Sequence, residues 1–217
     1  MFTISEENYI KGIYHLQGEN EAVTTNKLAE RLQTKAASVT DMLKKLQTKK
    51  LLQYQPYYGV LLTKEGLALA LEVIRRHRLW EYFLVHHLQF GWDEVHEIAE
   101  QLEHVQSQPL TNKLDAFLQY PRFDPHGDPI PDSKGKMQAQ QQINLTHWPL
   151  GKMAEICAVG NQQTDLLELL RKKNLEIGTH IQITQRFSFD NSLEITIGQQ
   201  PPFSISEQLA QQIFVKK

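Results

Sequence analysis

The chain has 217 residues, 41% of them hydrophobic and 22% charged, which supplies a buried core and excludes wholesale disorder. A net charge of −2 excludes a generally basic nucleic-acid binder, so any contact with DNA has to come from a local patch. The single cysteine, Cys157, excludes an intrachain disulfide and a cysteine-rich zinc motif.

The opening MFTISEENYIKGIYHL lacks the basic-then-apolar layout of a signal peptide. No apolar run reaches the roughly 18–20 residues that span a bilayer. A soluble, cytoplasmic protein with no membrane partner is expected. Residues 5–17 begin with Ser5 as a candidate cap and carry Tyr9, Ile10, Ile13, Tyr14 and Leu16 at helical spacing. A second helix is predicted over 25–32 and a third over 36–49, separated by the polar break 33–35. That pairing is a helix-turn-helix pattern. Apolar segments at 51–54 and 60–62 flank a Pro/Gly turn and predict a hairpin, which makes the motif winged.

A long helix is predicted over 67–88, a break at Gly91-Trp92-Asp93, and further helices over 94–105 and 107–120. Proline and glycine crowd 121–131 and a polar, low-complexity stretch fills 132–142, so this region is predicted to be a linker. Beyond it, apolar alternation at Ala154, Ile156 and Ala158, at Ile181 and Ile183, and at Leu193, Ile195 and Ile197 predicts strands around a helix at 165–173. A small β-barrel packs such short strands. The fold class is therefore mainly α with small β parts.

Lys35, Lys44, Lys45, Lys49 and Lys50 face one acid, Asp41, between residues 34 and 50, a local net charge of +4. Phosphate contacts need that concentration. Ser38, Thr40 and Asp41 are short polar groups near the start of the third helix, suited to base edges or phosphates. Thr24, Lys27 and the wing residue Tyr58 are placed to clamp the backbone. A charge run alone would read as a solvated helix; the motif, wing and local basicity together point to double-stranded DNA.

Five of the nine histidines fall between 77 and 104. His77 and Glu81 are spaced i, i+4, and His96, Glu100, Glu103 and His104 are spaced i, i+4, i+7, i+8, so each set shares a helix face. One such pair is as readily an ion pair as a ligand set. Two on neighbouring helices favour a divalent metal, and carboxylate with imidazole but no thiolate leans towards the harder ions. His96-Glu97 begins like a zinc-protease motif, but Glu100 stands where the second histidine is required. No nucleophile–base pair or phosphate-binding glycine loop is present, so an enzyme is not expected.

SEENYIKGIYHL, VIRRHRLWEYFL at 73–84, VHEIAEQLEHV at 95–105 and PHGDPIP at 125–131 together carry a resemblance. Over nearly its whole length the chain resembles the diphtheria-toxin-repressor and manganese-transport-regulator (DtxR/MntR) family of metal-dependent repressors. The resemblance implies a winged helix-turn-helix DNA-binding domain at 1–63 and a helical dimerisation and metal-binding domain with its linker at 64–142. An SH3-like domain similar to the iron-transport protein FeoA is implied at 143–217. His77, Glu81, His96, Glu100, Glu103 and His104 match ligand positions of the family, with Asn8 matching one on the first helix. Asp124 and His126 match a second site of three-domain manganese members, which Asp165 is expected to join. Glu100 stands where iron-responsive members have cysteine, which implies Mn(2+), with Fe(2+) as the alternative and Zn(2+) or Co(2+) as substitutes. Two positions depart from the pattern: Asn8 replaces aspartate or methionine, and Lys11 replaces the glutamate of two-manganese members.

The expected mechanism has metal drawing the first helix, through Asn8, towards Glu100, Glu103 and His104. This sets the spacing of two recognition helices in a homodimer on a palindromic operator. Leu79, Trp80, Phe83 and Leu84 are candidates for the dimer contact. A winged-helix regulator that responds to an organic ligand, and a metalloenzyme with a vestigial DNA domain, are the competing readings.

Overall fold

Thr3 starts the first helix, α1 (Ile4–Leu16), with a reciprocal capping box. Its side chain accepts the Glu6 N–H at 3.2 Å, and the Glu6 carboxylate accepts the Thr3 N–H at 3.1 Å. Ser5, the expected cap, has Asn8 rather than an acid three residues on and lies inside the helix. The computed structural model describes residues 2–18 and 21–217. It divides into two units: Met1–Trp80 with Glu100–Gln119 and Pro131–Met137, and Glu81–Ala99 with Tyr120–Ile130 and Gln138–Lys217.

In the first unit α1 buries Tyr9, Ile10 and Ile13 against α2 (Thr25–Arg31) and α3 (Ala36–Thr48). Leu28, Val39, Leu43 and Leu46 complete the apolar interior. Strands β1 (Leu52–Gln55) and β2 (Gly59–Leu62) pair antiparallel, with Leu52 opposite Leu62 and Gln55 opposite Gly59. Gly59 has φ +116°, and a Cβ there would stand 2.6 Å from the Val23 carbonyl oxygen. Only glycine lets the bridge between Val23 and Val60 close beside it. Tyr57 and Tyr58 project from the hairpin tip into solvent. These elements form the winged helix-turn-helix that hydrophobic spacing predicts.

Helix α4 (Lys64–Leu88) extends this core through Leu69, Ala70 and Val73. Its residues to Trp80 belong to the first unit and those from Glu81 to the second. Helix α5 spans Val95–Leu102, shorter than expected, so Glu103 and His104 lie in the turn that follows rather than on its face. Helix α6 (Gln108–Phe117) starts at Ser107, with a proline in its first turn.

The second unit is built on a six-stranded antiparallel sheet in the order β3-β8-β4-β5-β6-β7. Its strands are β3 (Ile143–Asn144), β4 (Met153–Val159), β5 (His180–Arg186), β6 (Leu193–Ile197), β7 (Phe203–Ile205) and β8 (Ile213–Lys216). Helices α7 (Thr164–Lys172) and α8 (Glu207–Ala210) accompany them. Ile156, Ile181, Ile183, Leu193 and Ile195 meet in one core with Leu167, Leu170 and Trp92. A register shift between Ile156 and Ala158 leaves 156–159 buried on both faces, Cys157 included. His126 and Gly127 pack against 157–159 of β4, so residues 121–130 are not the loose linker their composition suggests. Asp124 Oδ1 accepts the N–H groups of His126 and Asp128 at 2.8 and 3.0 Å, folding the segment into a buried turn. The His126 carbonyl then accepts the Val159 N–H at 3.1 Å.

Candidate metal centre

In the first unit Glu7 and Lys11 share a face of α1, spaced i, i+4. Glu7 meets side chains of α4 and of the 100–104 segment, and Lys11 meets side chains of the latter. Lys11 Nζ lies 2.6 Å from Glu100 Oε1 and 2.6 Å from Glu103 Oε1. His77 Nδ1 is 2.7 Å from Glu103 Oε2. Arg76 donates to Glu7 Oε1 at 2.6 Å and to the Glu103 backbone carbonyl. His104 Nδ1 takes the other Glu7 oxygen at 2.7 Å, and its Nε2 stands 3.6 Å from Glu103 Oε1. Asn8 Oδ1 is buried on the same helix with no hydrogen-bond partner among the described residues.

His77, Glu100 and Glu103 thus offer ligand atoms within 4.8 Å of one another. Lys11, however, is seated on both of the glutamates that an ion would need. These residues do not fit a metal while Lys11 is in place.

The second unit assembles a different group. Glu81, Asp124 and His126 are buried and offer ligand atoms within 4.8 Å of one another. His126 Nε2 donates to the Trp92 carbonyl at 2.7 Å, which turns Nδ1 towards Glu81 Oε2, 3.8 Å away. A backbone carbonyl bonded to the far ring nitrogen orients metal-binding imidazoles in the same way. Burial works against the imidazolium, but the adjacent Glu81 carboxylate, the charge of Asp124 and the Trp92 carbonyl outweigh it, raising the pKa from 6.5 to about 9. The group therefore holds a proton where its donor set suits a divalent cation: two carboxylates, one imidazole and no thiolate. His96 borders it, with Nδ1 3.3 Å from Glu81 Oε1. Asp165 is exposed in the first turn of α7 and joins neither group.

On the winged-helix face, Lys27, Lys35, Ser38, Asp41, Lys44 and Tyr58 are exposed. Thr24 caps α2 by accepting the Lys27 N–H at 3.3 Å, and the Thr40 hydroxyl donates to the Ala36 carbonyl at 3.0 Å. Lys45 and Lys49 turn instead to the buried Glu6, at 3.1 and 2.7 Å. Burial raises the Glu6 pKa, but the Lys49 and Lys45 bonds and the Thr3 N–H prevail and hold it at about 2. Two of the five lysines in the basic run are therefore engaged within the domain.

The iron-dependent-repressor N-terminal DNA-binding domain model matches residues 1–60, and the iron-dependent-repressor metal-binding and dimerisation domain model matches 63–132. The FeoA domain model matches 143–217. A solved manganese-dependent transcriptional repressor in complex with manganese is 31% identical, covers 97% of this chain and 99% of its own, and has a TM-score of 0.86. The chain belongs to the DtxR/MntR family of repressors. The repressor ScaR with bound Zn2+ is 34% identical, with 98% and 99% coverage and a TM-score of 0.75. The iron-dependent repressor IdeR of Mycobacterium leprae (strain TN) is 26% identical over 97% of this chain and 96% of its own length.

As a DtxR/MntR family member the chain is a metal-dependent DNA-binding transcriptional repressor rather than an enzyme, and it carries the family's dimerisation domain. No described helix is long and apolar enough to cross a membrane. Motif reading passed over Glu7, Arg76 and the Trp92 carbonyl. The i, i+4 spacing of Glu7 and Lys11 was the available signal for the first. A backbone carbonyl leaves none.

Proposed function

We propose that this chain represses metal-homeostasis genes in the cytoplasm in response to manganese, binding a palindromic operator as a homodimer. The carrying observation is the buried Glu81–Asp124–His126 group, whose oxygen-rich, thiolate-free donor set suits Mn(2+). Glu81, Asp124 and His126 would hold the ion, with His96 at the border and Asn8, His77, Glu100, Glu103 and His104 as a separate set closed by Lys11. The metal supplies positive charge in place of the His126 proton. It shifts the protein towards its DNA-binding form only by binding that form more tightly. Fe(2+) is the second reading, supported by the likeness to IdeR.

The parts divide as 1–63 for DNA, 64–142 for dimerisation and metal, and 143–217 as the FeoA-type domain. Ser38, Thr40 and Asp41 sit at the operator-facing start of α3. Thr24, Lys27, Lys35, Lys44 and Tyr58 hold the phosphates, while Lys45 serves DNA through its pairing with Glu6. The test uses a duplex selected by this protein from random sequence, titrated in gel shifts with Mn(2+), Fe(2+), Zn(2+) or EDTA. Tightest binding with Mn(2+), weakened at least about tenfold in His126→Ala, is expected. Equal affinity with EDTA and with every metal overturns the reading.

A further inference from the structure

Lys11 is set among groups from three segments: Glu7 on its own helix, Arg76 and His77 on α4, and Glu100 of α5 with Glu103 and His104 in the turn after it. Its ammonium bonds Glu100 Oε1 at 2.6 Å and both oxygens of Glu103 at 2.6 and 2.9 Å. The Glu103 side chain has 0% exposure and that of Lys11 only 13%. A carboxylate buried this fully has to be matched by a cation, and Lys11 supplies it through a covalent tether to α1. Arg76 adds a second fixed positive charge on the Glu7 side. A divalent ion entering here would have to expel Lys11 and share space with Arg76.

We propose that Lys11 is a resident cation that stands in for a metal between α1 and the 100–103 segment. It ties the two together without metal and confines the regulatory ion to Glu81, Asp124 and His126. The last clause rests on the function proposed above. Lys11 is thus a specificity-determining residue: it sets how many ions the chain binds and which group responds to them. An uncharged amide at the same position would leave the carboxylates to capture an ion.

The test counts Mn(2+) bound per full-length chain by equilibrium dialysis for wild type, Lys11→Gln, Lys11→Arg, His126→Ala and the Lys11→Gln/His126→Ala double variant. K11Q is expected to hold one ion more than wild type, the double variant one more than H126A, and K11R the wild-type number. Metal-free K11Q should melt below wild type and recover with Mn(2+). An unchanged count in K11Q overturns the proposal. H126A separately tests the earlier reading: a wild-type count there removes the second group as the metal site, whatever K11Q does. Lysine acylation of wild type, read by mass spectrometry, is independent of any variant's folding. Lys11 should stay protected with and without Mn(2+), and labelling provoked by Mn(2+) overturns the proposal.

Discussion

His126 and Glu6 set opposite ends of the pH profile. The folded pKa of His126, about 9, lies above its ordinary 6.5, so the stability it contributes is fully present below pH 6.5 and lost as pH rises through 9. The loss is on the order of 3 kcal/mol. Glu6, held at about 2 against an ordinary 4.5, stabilises above pH 4.5 and stops doing so as pH falls through 2. Melting temperatures of metal-free protein should therefore fall as pH rises from about 6.5 to 9 and as pH drops from about 4.5 to 2. Metal at the second group has to displace the His126 proton, so Mn(2+) affinity should rise by up to about tenfold per pH unit between pH 7 and 9. Glu7 and Arg76 form a buried pair at 2.6 Å. Glu7→Gln strands the guanidinium, and denaturant unfolding should report a loss of about 3 kcal/mol.

Among the elements, the 121–130 turn positions the site most directly. Gly127 has φ +90°, and a Cβ there would collide with the Cys157 carbonyl oxygen and crowd Ala158. Gly127→Ala should cost more than about 1 kcal/mol. It should also weaken Mn(2+) binding, because Asp124 and His126 flank it in the same turn; dialysis against Mn(2+) measures this. Composition alone labels this segment a linker, because proline and glycine mark a tight packed turn and a loose connection alike. Helices α1, α2 and α3 were legible because their apolar faces follow the helical period. The end of α5 was not: Glu103 and His104 keep helical spacing in a segment that has already left the helix.

At the scale of the molecule, the C-terminal sheet and the segments 81–99 and 120–130 form one unit. Trp92, whose carbonyl orients His126, packs in the core of that sheet. Val159 supports the His126 backbone through its N–H. Removing 143–217 should therefore abolish metal binding at Glu81, Asp124 and His126, although Asp165, the expected ligand from this region, lies outside the group. Asp165→Ala in the full chain should keep the wild-type Mn(2+) count. A loss in D165A equal to that of the truncation would restore Asp165 as a ligand.

By itself the sequence determined the winged helix, the apolar faces and the donor types, since periodicity and residue chemistry are local properties written along the chain. It also placed Lys11 where two-manganese members of the family carry glutamate. Only the tertiary structure decided which donors meet. Glu81 is separated by 43 and 45 residues from Asp124 and His126, and Lys11 by 89 and 92 from Glu100 and Glu103. Charge pairing at a few ångströms depends on how the chain folds back, and no spacing along it encodes that.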